Sequence, residues 1–444
     1  MNRLIFLPLL MALPSCNQHA ASDPGIQPVD QVEAKQFSSS DTGAMNPQSI
    51  QEDPPVDPQR KAEYQPETEN EQETIEQREK DSDQTVVESR YSEPEQRDEL
   101  IEVQKKVPLR MVMPGKSFRG ELPELTPQQV EKRDRMKIDL EKLAGEIGER
   151  NLRQPQEYAL AGQWIEKNMA AAGYQVAQQI FQVKGRNCVN FEAEISGRDK
   201  AAEIIVVGAH YDSARGTPGA NDNGSGVVAL LELARSMSKE RPARTLRFVF
   251  FANEEPPYFQ TANMGSLVYA RRCHDRQEKI IGMLSLETMG YFSDEENSQN
   301  YPPPFSLVYP STGNFIGFVG DSQSGDFVAH CVEKFRDSVE FPSEGAAAPA
   351  WIEGIGWSDH WSFWQFGYPA LMVTDTAPFR YDHYHLPSDT PDKVSFSHMA
   401  RVVTGLEAVI NDLANPTQDN AKKDDAKKDD VKKTAVFSKL KKLK

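Results

Sequence analysis

The middle of this 444-residue chain predicts an α/β fold with a largely parallel central sheet flanked by helices. Runs of apolar residues without strict alternation occur at 204–207, 246–251, 282–286 and 370–373, the pattern of strands covered on both faces. Between the first two, residues 226–237 place Val227, Leu230, Leu231 and Ala234 on one side of a helix. Strand, helix, strand in that order is a crossover unit, and crossovers join parallel neighbours.

The elements ahead of this unit follow from periodicity. Met136, Leu140, Leu143 and Ile147 recur every three or four residues among Lys, Arg and Glu, which predicts an amphipathic helix. A second helix is expected over 157–172 and should stop at Gly173, because glycine tolerates the left-handed turn that ends a helix. Phe191, Ala193 and Ile195 then alternate with Asn190, Glu192 and Glu194, a strand with one wet face. No repeat of solenoid period occurs.

The flanks have another texture. Residues 17–104 hold 22 Asp and Glu against 7 Lys and Arg, a net of −15 out of −17 for the chain, and only Phe37, Tyr64 and Tyr91 are aromatic. Such a segment buries too little apolar surface to offset its ordering entropy, so a disordered spacer is expected. The acidity then belongs to a tether and says little about what the folded part binds. At the start, Arg3 precedes the mostly apolar run 4–13, too short to span a membrane and matched to a secretory signal. Leu13-Pro14-Ser15-Cys16 follows and resembles a bacterial lipobox, which makes Cys16 the lipidated first residue of an exported, membrane-anchored protein of the cell envelope. An ordinary signal peptide cut near Ala20 or Ala21 is the alternative. From Asn415 onward the block AKKDD at 421–425 repeats at 426–430, and the tail holds ten lysines against five aspartates, a solvated low-complexity segment. The expected plan is a signal peptide at 1–15, the lipidated cysteine and spacer at 16–125, the folded domain at 126–414 and the tail at 415–444. Beyond Cys16, the three cysteines Cys188, Cys273 and Cys331 exclude a fully paired framework and show no zinc-type spacing, while one disulfide stays open.

Ligands of open α/β sheets bind beyond the carboxyl ends of the strands, so the residues just after each apolar run are the ones to inspect. The first run is followed by His210-Tyr211-Asp212, the second by Glu254-Glu255, the third by Glu287. Asp222 sits in the loop 219–226 before the helix, and His385 in the segment 384–390. Each has a commoner reading alone: a hydrogen-bonded histidine, a solvated Glu pair, a turn-forming Asp. Three strand ends and two loops carrying such residues together make a constellation. Zinc at a hydrolytic site takes imidazole and carboxylate ligands, two ions can clamp the attacking and departing oxygens, and a further carboxylate must move the proton of the attacking water.

The motifs Gly208-Ala209-His210-Tyr211-Asp212-Ser213, Gly219-Ala220-Asn221-Asp222-Asn223-Gly224-Ser225-Gly226, Asn253-Glu254-Glu255 and Tyr384-His385 with Asp389-Thr390 resemble those of the M28 family of zinc peptidases. The similarity reaches loosely back to Gly148-Glu149-Arg150-Asn151 and covers about 130–412. It implies a zinc-peptidase, phosphorylase/hydrolase-like architecture and an aminopeptidase with two Zn2+ per chain acting on peptides. By that resemblance His210 and Glu287 hold one zinc, Glu255 and His385 the other, Asp222 bridges them, and Glu254 is the general base. Asp212 is implied to fix the ring of His210 from behind, and Asp359 to play a supporting part. The resemblance also implies a cis peptide between Asp222 and Asn223. Many relatives carry Asp where this chain has Glu287, and the longer arm shifts where its oxygen can reach.

Two other readings share the fold. A glutaminyl cyclase would work with one zinc, and its sequence tends to differ where this chain has Asn223-Gly224-Ser225-Gly226. A non-catalytic binding domain would tend to have lost ligands that this chain keeps. No GxSxG follows a strand, and neither HExxH nor a P-loop occurs. No basic nucleic-acid motif stands out, so the expected partners are peptides and, through Cys16, a lipid membrane.

Overall fold

The computed structural model describes residues 109–416. The segment expected to be a signal peptide, Cys16, the stretch up to residue 108 and the repeats of the Lys/Asp tail lie outside the described residues.

Strand β3 (Lys200–His210) shows how the layers arise. Its buried side chains alternate between faces: Ile205, Val207 and Ala209 join one hydrophobic cluster, Ile204 and Val206 another. Such a strand needs cover on both sides, which is why its sequence is apolar without alternation. The first cluster includes side chains from α1 (Pro127–Leu140), α2 (Pro155–Ala171), α3 (Gly226–Met237), α5 (Gly325–Ser338) and α7 (Phe396–Ala414). The second packs against α4 (Gly265–Asp275) and α6 (His360–Trp364) through Tyr269, Cys273 and Phe363. The result is a sheet between two helical layers.

The other strands are β1 (Val176–Val183), β2 (Arg186–Ile195), β4 (Arg244–Phe251), β5 (Lys279–Glu287), β6 (Ile316–Asp321), β7 (Ser343–Ala348) and β8 (Ala370–Thr374). They form one sheet of eight strands in the order β1-β2-β4-β3-β5-β8-β6-β7. The central strands β4, β3, β5 and β8 run parallel, whereas β1, β2 and β6 pair antiparallel with a neighbour. The chain passes from β3 to β4 on one side, over α3, and then across to β5 on the other side of β3, over α4. That reversal opens a crevice at the carboxyl ends of β3, β4 and β5.

The predicted helices and apolar strands are all present. Helix α1 begins with a reciprocal cap, Gln129 N donating to Thr126 Oγ1 and Thr126 N to Gln129 Oε1. Residues 109–125, assigned by composition to the spacer, pack on the domain: Met113 is buried, Arg110 bridges to Ala347, and Ser343 N donates to Ser117 Oγ. Their neighbours are acidic, but these residues carry enough apolar and hydrogen-bonding groups to be held. Cys188, Cys273 and Cys331 are buried and unpaired, so no disulfide forms among them. No described helix is long and apolar enough to cross a membrane.

Candidate metal centre

His210 is the last residue of β3, Glu287 the last of β5, and Glu254 and Glu255 follow β4. Parallel neighbouring strands end side by side, which brings residues far apart in sequence to one edge. Asp222 enters from the loop before α3. Two glycines make that loop possible: Gly219 has φ +59, where a Cβ would stand 2.4 Å from Asp222 O, and at Gly226 a Cβ would stand 2.5 Å from Leu286 O. The Asp222–Asn223 peptide is cis. Asp389 receives Asn221 N at 2.8 Å on one oxygen and Asp222 N at 3.0 Å on the other, so both amides next to the bend are tied down.

The structure gathers His210, Asp222, Glu254, Glu255, Glu287 and His385 within a few ångströms. His210 Nε2 lies 3.2 Å from Glu287 Oε2, 3.6 Å from Asp222 Oδ1 and 3.7 Å from Glu254 Oε2. On the far side of Asp222, His385 Nε2 lies 2.9 Å from Asp222 Oδ2 and 3.2 Å from Glu255 Oε2. His210, Asp222 and Glu287 therefore form one possible metal-holding set and Asp222, Glu255 and His385 another, with Asp222 in both. His210, Glu254 and Glu255 make a third combination of suitable spacing.

Asp212 lies behind the cluster. Its Oδ1 is 3.3 Å from His210 Nδ1, and its two oxygens accept Glu254 N at 3.0 Å and Glu255 N at 3.1 Å. One carboxylate thus orients the imidazole and the Glu-Glu turn together. Asp359 is fully buried beside the cluster, and neither oxygen makes a well-aligned hydrogen bond.

Burial pushes Glu254 well above the ordinary carboxylate range, with Glu287 and Glu255 adding to it. Burial, then Asp222, pushes Glu255 up to about 7, and burial also raises Glu287. Burial acts to lower the histidines, but carboxylates outweigh it: Asp222 and Glu255 push His385 up to about 11, and Glu287 and Glu254 hold His210 well above its usual value. For Asp222, burial acts upward and is outweighed by His385, so it is lowered. His210 Nδ1 and Nε2, Asp222 Oδ2 and Glu255 Oε1 are buried without a well-aligned hydrogen bond. Buried carboxylates that repel one another, and the His210 imidazole, whose ring nitrogens make no well-aligned hydrogen bond, fit a divalent cation, and the donor set of nitrogen and carboxylate oxygen suits zinc.

Four supporting residues were given no role from sequence, although Arg150 and Tyr384 stand in the quoted motifs. Ser358 Oγ donates to Glu287 Oε2 at 2.7 Å, giving the longer arm of Glu287 a fixed position. Arg150 is fully buried, and its guanidinium donates to the carbonyls of Gly148, Tyr211, Pro218 and Gly219, fastening the loop that leads to Asp222 to the segments after β3 and before α2. Asp375 follows β8 directly and accepts from Asn221 Nδ2 at 2.9 Å and Tyr291 N at 2.7 Å. The rule that marks His210 at a strand end would have marked Asp375 too. The Tyr384 ring stacks on His385, with centroids 4.0 Å apart, a contact without any signal in sequence beyond adjacency.

Comparison with known proteins bears on this arrangement. The sequence profile described as Peptidase family M28 matches residues 190–410. The protein YfbL of Escherichia coli, itself uncharacterized, is 38% identical over 255 residues, covering 55% of this chain and 77% of that one. Leucine aminopeptidase 1 of Arthroderma otae is 28% identical over 236 residues, covering 50% of this chain and 57% of its own length. Among solved structures, BSAP, a zinc aminopeptidase from Bacillus subtilis, superposes with a TM-score of 0.52 at 15% identity, covering 67% of this chain and 97% of that one.

Proposed function

This chain belongs to peptidase family M28, and from that premise we propose that it is an aminopeptidase with two zinc ions, removing N-terminal residues from peptides. The observation that carries the reading is Asp222, whose two oxygens face different histidines, Oδ1 toward His210 and Oδ2 toward His385. A carboxylate so placed suits a bridge between two cations. His210 and Glu287 would hold one zinc, Glu255 and His385 the other. Asp222, Glu254, Glu255 and Glu287 with two neutral imidazoles carry a charge that two divalent cations would balance.

When bound, zinc supplies Lewis acidity toward the scissile carbonyl and toward the attacking water. The chain supplies the rest. Glu254 stands beside His210 and Glu255, one from each set, where its carboxylate can take the proton of the attacking water and hand it to the leaving amine. Asp212 holds Glu254 in that place through its backbone amide. A cavity of about 90 Å³ adjoins Glu287 and Tyr384, and its walls include Tyr301, Phe305, Phe315, Trp357 and Met372. Such walls exclude water and favour a large apolar N-terminal side chain.

Zinc analysis of the purified protein, combined with a panel of aminoacyl substrates, tests the proposal. Two zincs per chain, cleavage of Leu and Phe derivatives, and no cleavage of N-acetylated peptides are expected. One zinc with cyclisation of N-terminal glutaminyl peptides would favour the cyclase reading, and zinc binding without turnover would favour a binding domain. The lipobox-like segment ending at Cys16 supports export and anchoring in the cell envelope. Cys16→Ala should then leave the protein unlabelled by a fatty-acid probe and free of the membrane fraction.

A further inference from the structure

A second cavity lies on the other side of the cluster and differs in kind from the apolar one. It is about 730 Å³, adjoins Glu255 and Asp212, and is lined by Arg153, Lys184, Arg186 and Arg215. Four cations line a cleft that opens at Glu255, a member of one of the metal-holding sets.

The fold builds this wall. Lys184 and Gly185 form the two-residue turn between β1 and β2, both at positive φ, 49° and 77°. A turn of that kind matches the twist of its strands, and it places Lys184 at the hairpin tip. Arg186, paired with Val183 across the turn, donates to Leu152 O and ties the hairpin to the segment before α2. Arg153 and Arg215 are exposed on the facing loops.

A peptide with its scissile carbonyl at the cluster sends its first side chain one way and the rest of the chain the other. The small apolar cavity suits one side chain, so the larger cleft receives the departing part. Resting on the aminopeptidase reading, we propose that this cleft is a subsite for a carboxylate on the departing part of the peptide, so that the enzyme prefers substrates negatively charged shortly beyond the scissile bond. The carboxylate could be the free C-terminus of a short peptide or an Asp or Glu side chain of a longer one. Guanidinium and ammonium groups bind either by charge-assisted hydrogen bonds.

The test compares kcat/KM for Leu-Gly-Gly with that for its C-terminal amide, and for amidated Leu-Glu-Gly with amidated Leu-Gln-Gly. A preference of about tenfold for the charged member of at least one pair is expected. The first pair reports a C-terminus and the second a side chain. The preference should shrink between about 20 mM and 500 mM salt, because exposed charges are screened over about 10 Å at 0.1 M. In Lys184→Gln/Arg215→Gln the ratio should fall toward one through a rise in KM for the charged peptide. Equal efficiency within both pairs would overturn the subsite while leaving the aminopeptidase reading intact. A double variant that loses zinc but keeps the ratio would also overturn it, since the cations would then only balance the cluster. No hydrolysis of any of these peptides would overturn both readings.

Discussion

Glu254→Gln separates proton transfer from metal binding. Glu254 Oε2 stands 3.7 Å from His210 Nε2, farther than Glu287 Oε2 at 3.2 Å, and the metal-holding sets that share Asp222 are complete without it. The glutamine side chain has the same shape, and the backbone amide of residue 254 keeps its 3.0 Å bond to Asp212 Oδ1. What is lost is the proton acceptor. Removing a general base costs about 100-fold to 10,000-fold in rate, or about 2.7 to 5.4 kcal/mol on the barrier. Stability should not suffer. In the metal-free protein a carboxyl raised by burial contributes stability that is full below its unfolded pKa and is lost as pH rises through the folded value, so at neutral pH the neutral amide is the cheaper group to bury there. We therefore expect Glu254→Gln to bind zinc as the wild type does, to melt no earlier, and to lose nearly all turnover of leucyl p-nitroanilide at unchanged KM. Glu255→Gln, made alongside, should lose zinc, because Glu255 faces His385 across one set. Turnover within about threefold of wild type in a zinc-loaded Glu254→Gln protein would refute the assignment of the base.

Three further perturbations follow from the surroundings of the cluster. Ser358→Ala removes the 2.7 Å donor to Glu287 and should weaken one zinc about 10-fold to 100-fold, seen as partial zinc loss in a chelator titration with the second ion retained. Arg150→Met strands four carbonyls that the buried guanidinium serves, so urea unfolding of the metal-free protein should show a loss of about 3 kcal/mol or more; an unchanged midpoint would mean that the loops hold without it. Burial pushes Asp375 up to about 7, so its share of stability is full below about 4 and drains away as pH rises toward 7. Relative to wild type, Asp375→Asn should therefore gain melting temperature between those pH values, and a flat difference would contradict a buried, raised carboxyl.

The central strands and most of the cluster were legible because their signals are local. A strand buried on both faces must be apolar throughout, and a residue that ends a parallel strand stands at the ligand-binding edge whatever the rest of the chain does. His210, Glu254, Glu255 and Glu287 are found by that rule, and Asp222 by its glycine loop. β6, Ile316–Asp321, and β7, Ser343–Ala348, gave no such signal. Their Gly and Ala residues leave room for close neighbours such as Val328 and Met113, and small residues carry little strand preference of their own. β1 lies at the sheet edge with a half-wet, Gln-rich sequence that pairs only because β2 is beside it.

Only the tertiary structure decided how closely these side chains approach one another and what fastens them. Asp222 and His385 are far apart in the chain, and their 2.9 Å approach depends on the loop after β8 folding back over the sheet edge. Arg150 stands in a quoted motif but has no role until its guanidinium is seen buried among four carbonyls, and Ser358 has none until it meets Glu287. Residue type and strand position could be read along the chain because chemistry and periodicity are properties of neighbours in sequence. The approach of these side chains, their fastening and the basic cleft depend on the order in which the strands associate, and that order is set by packing among residues whose separation in sequence carries no local trace.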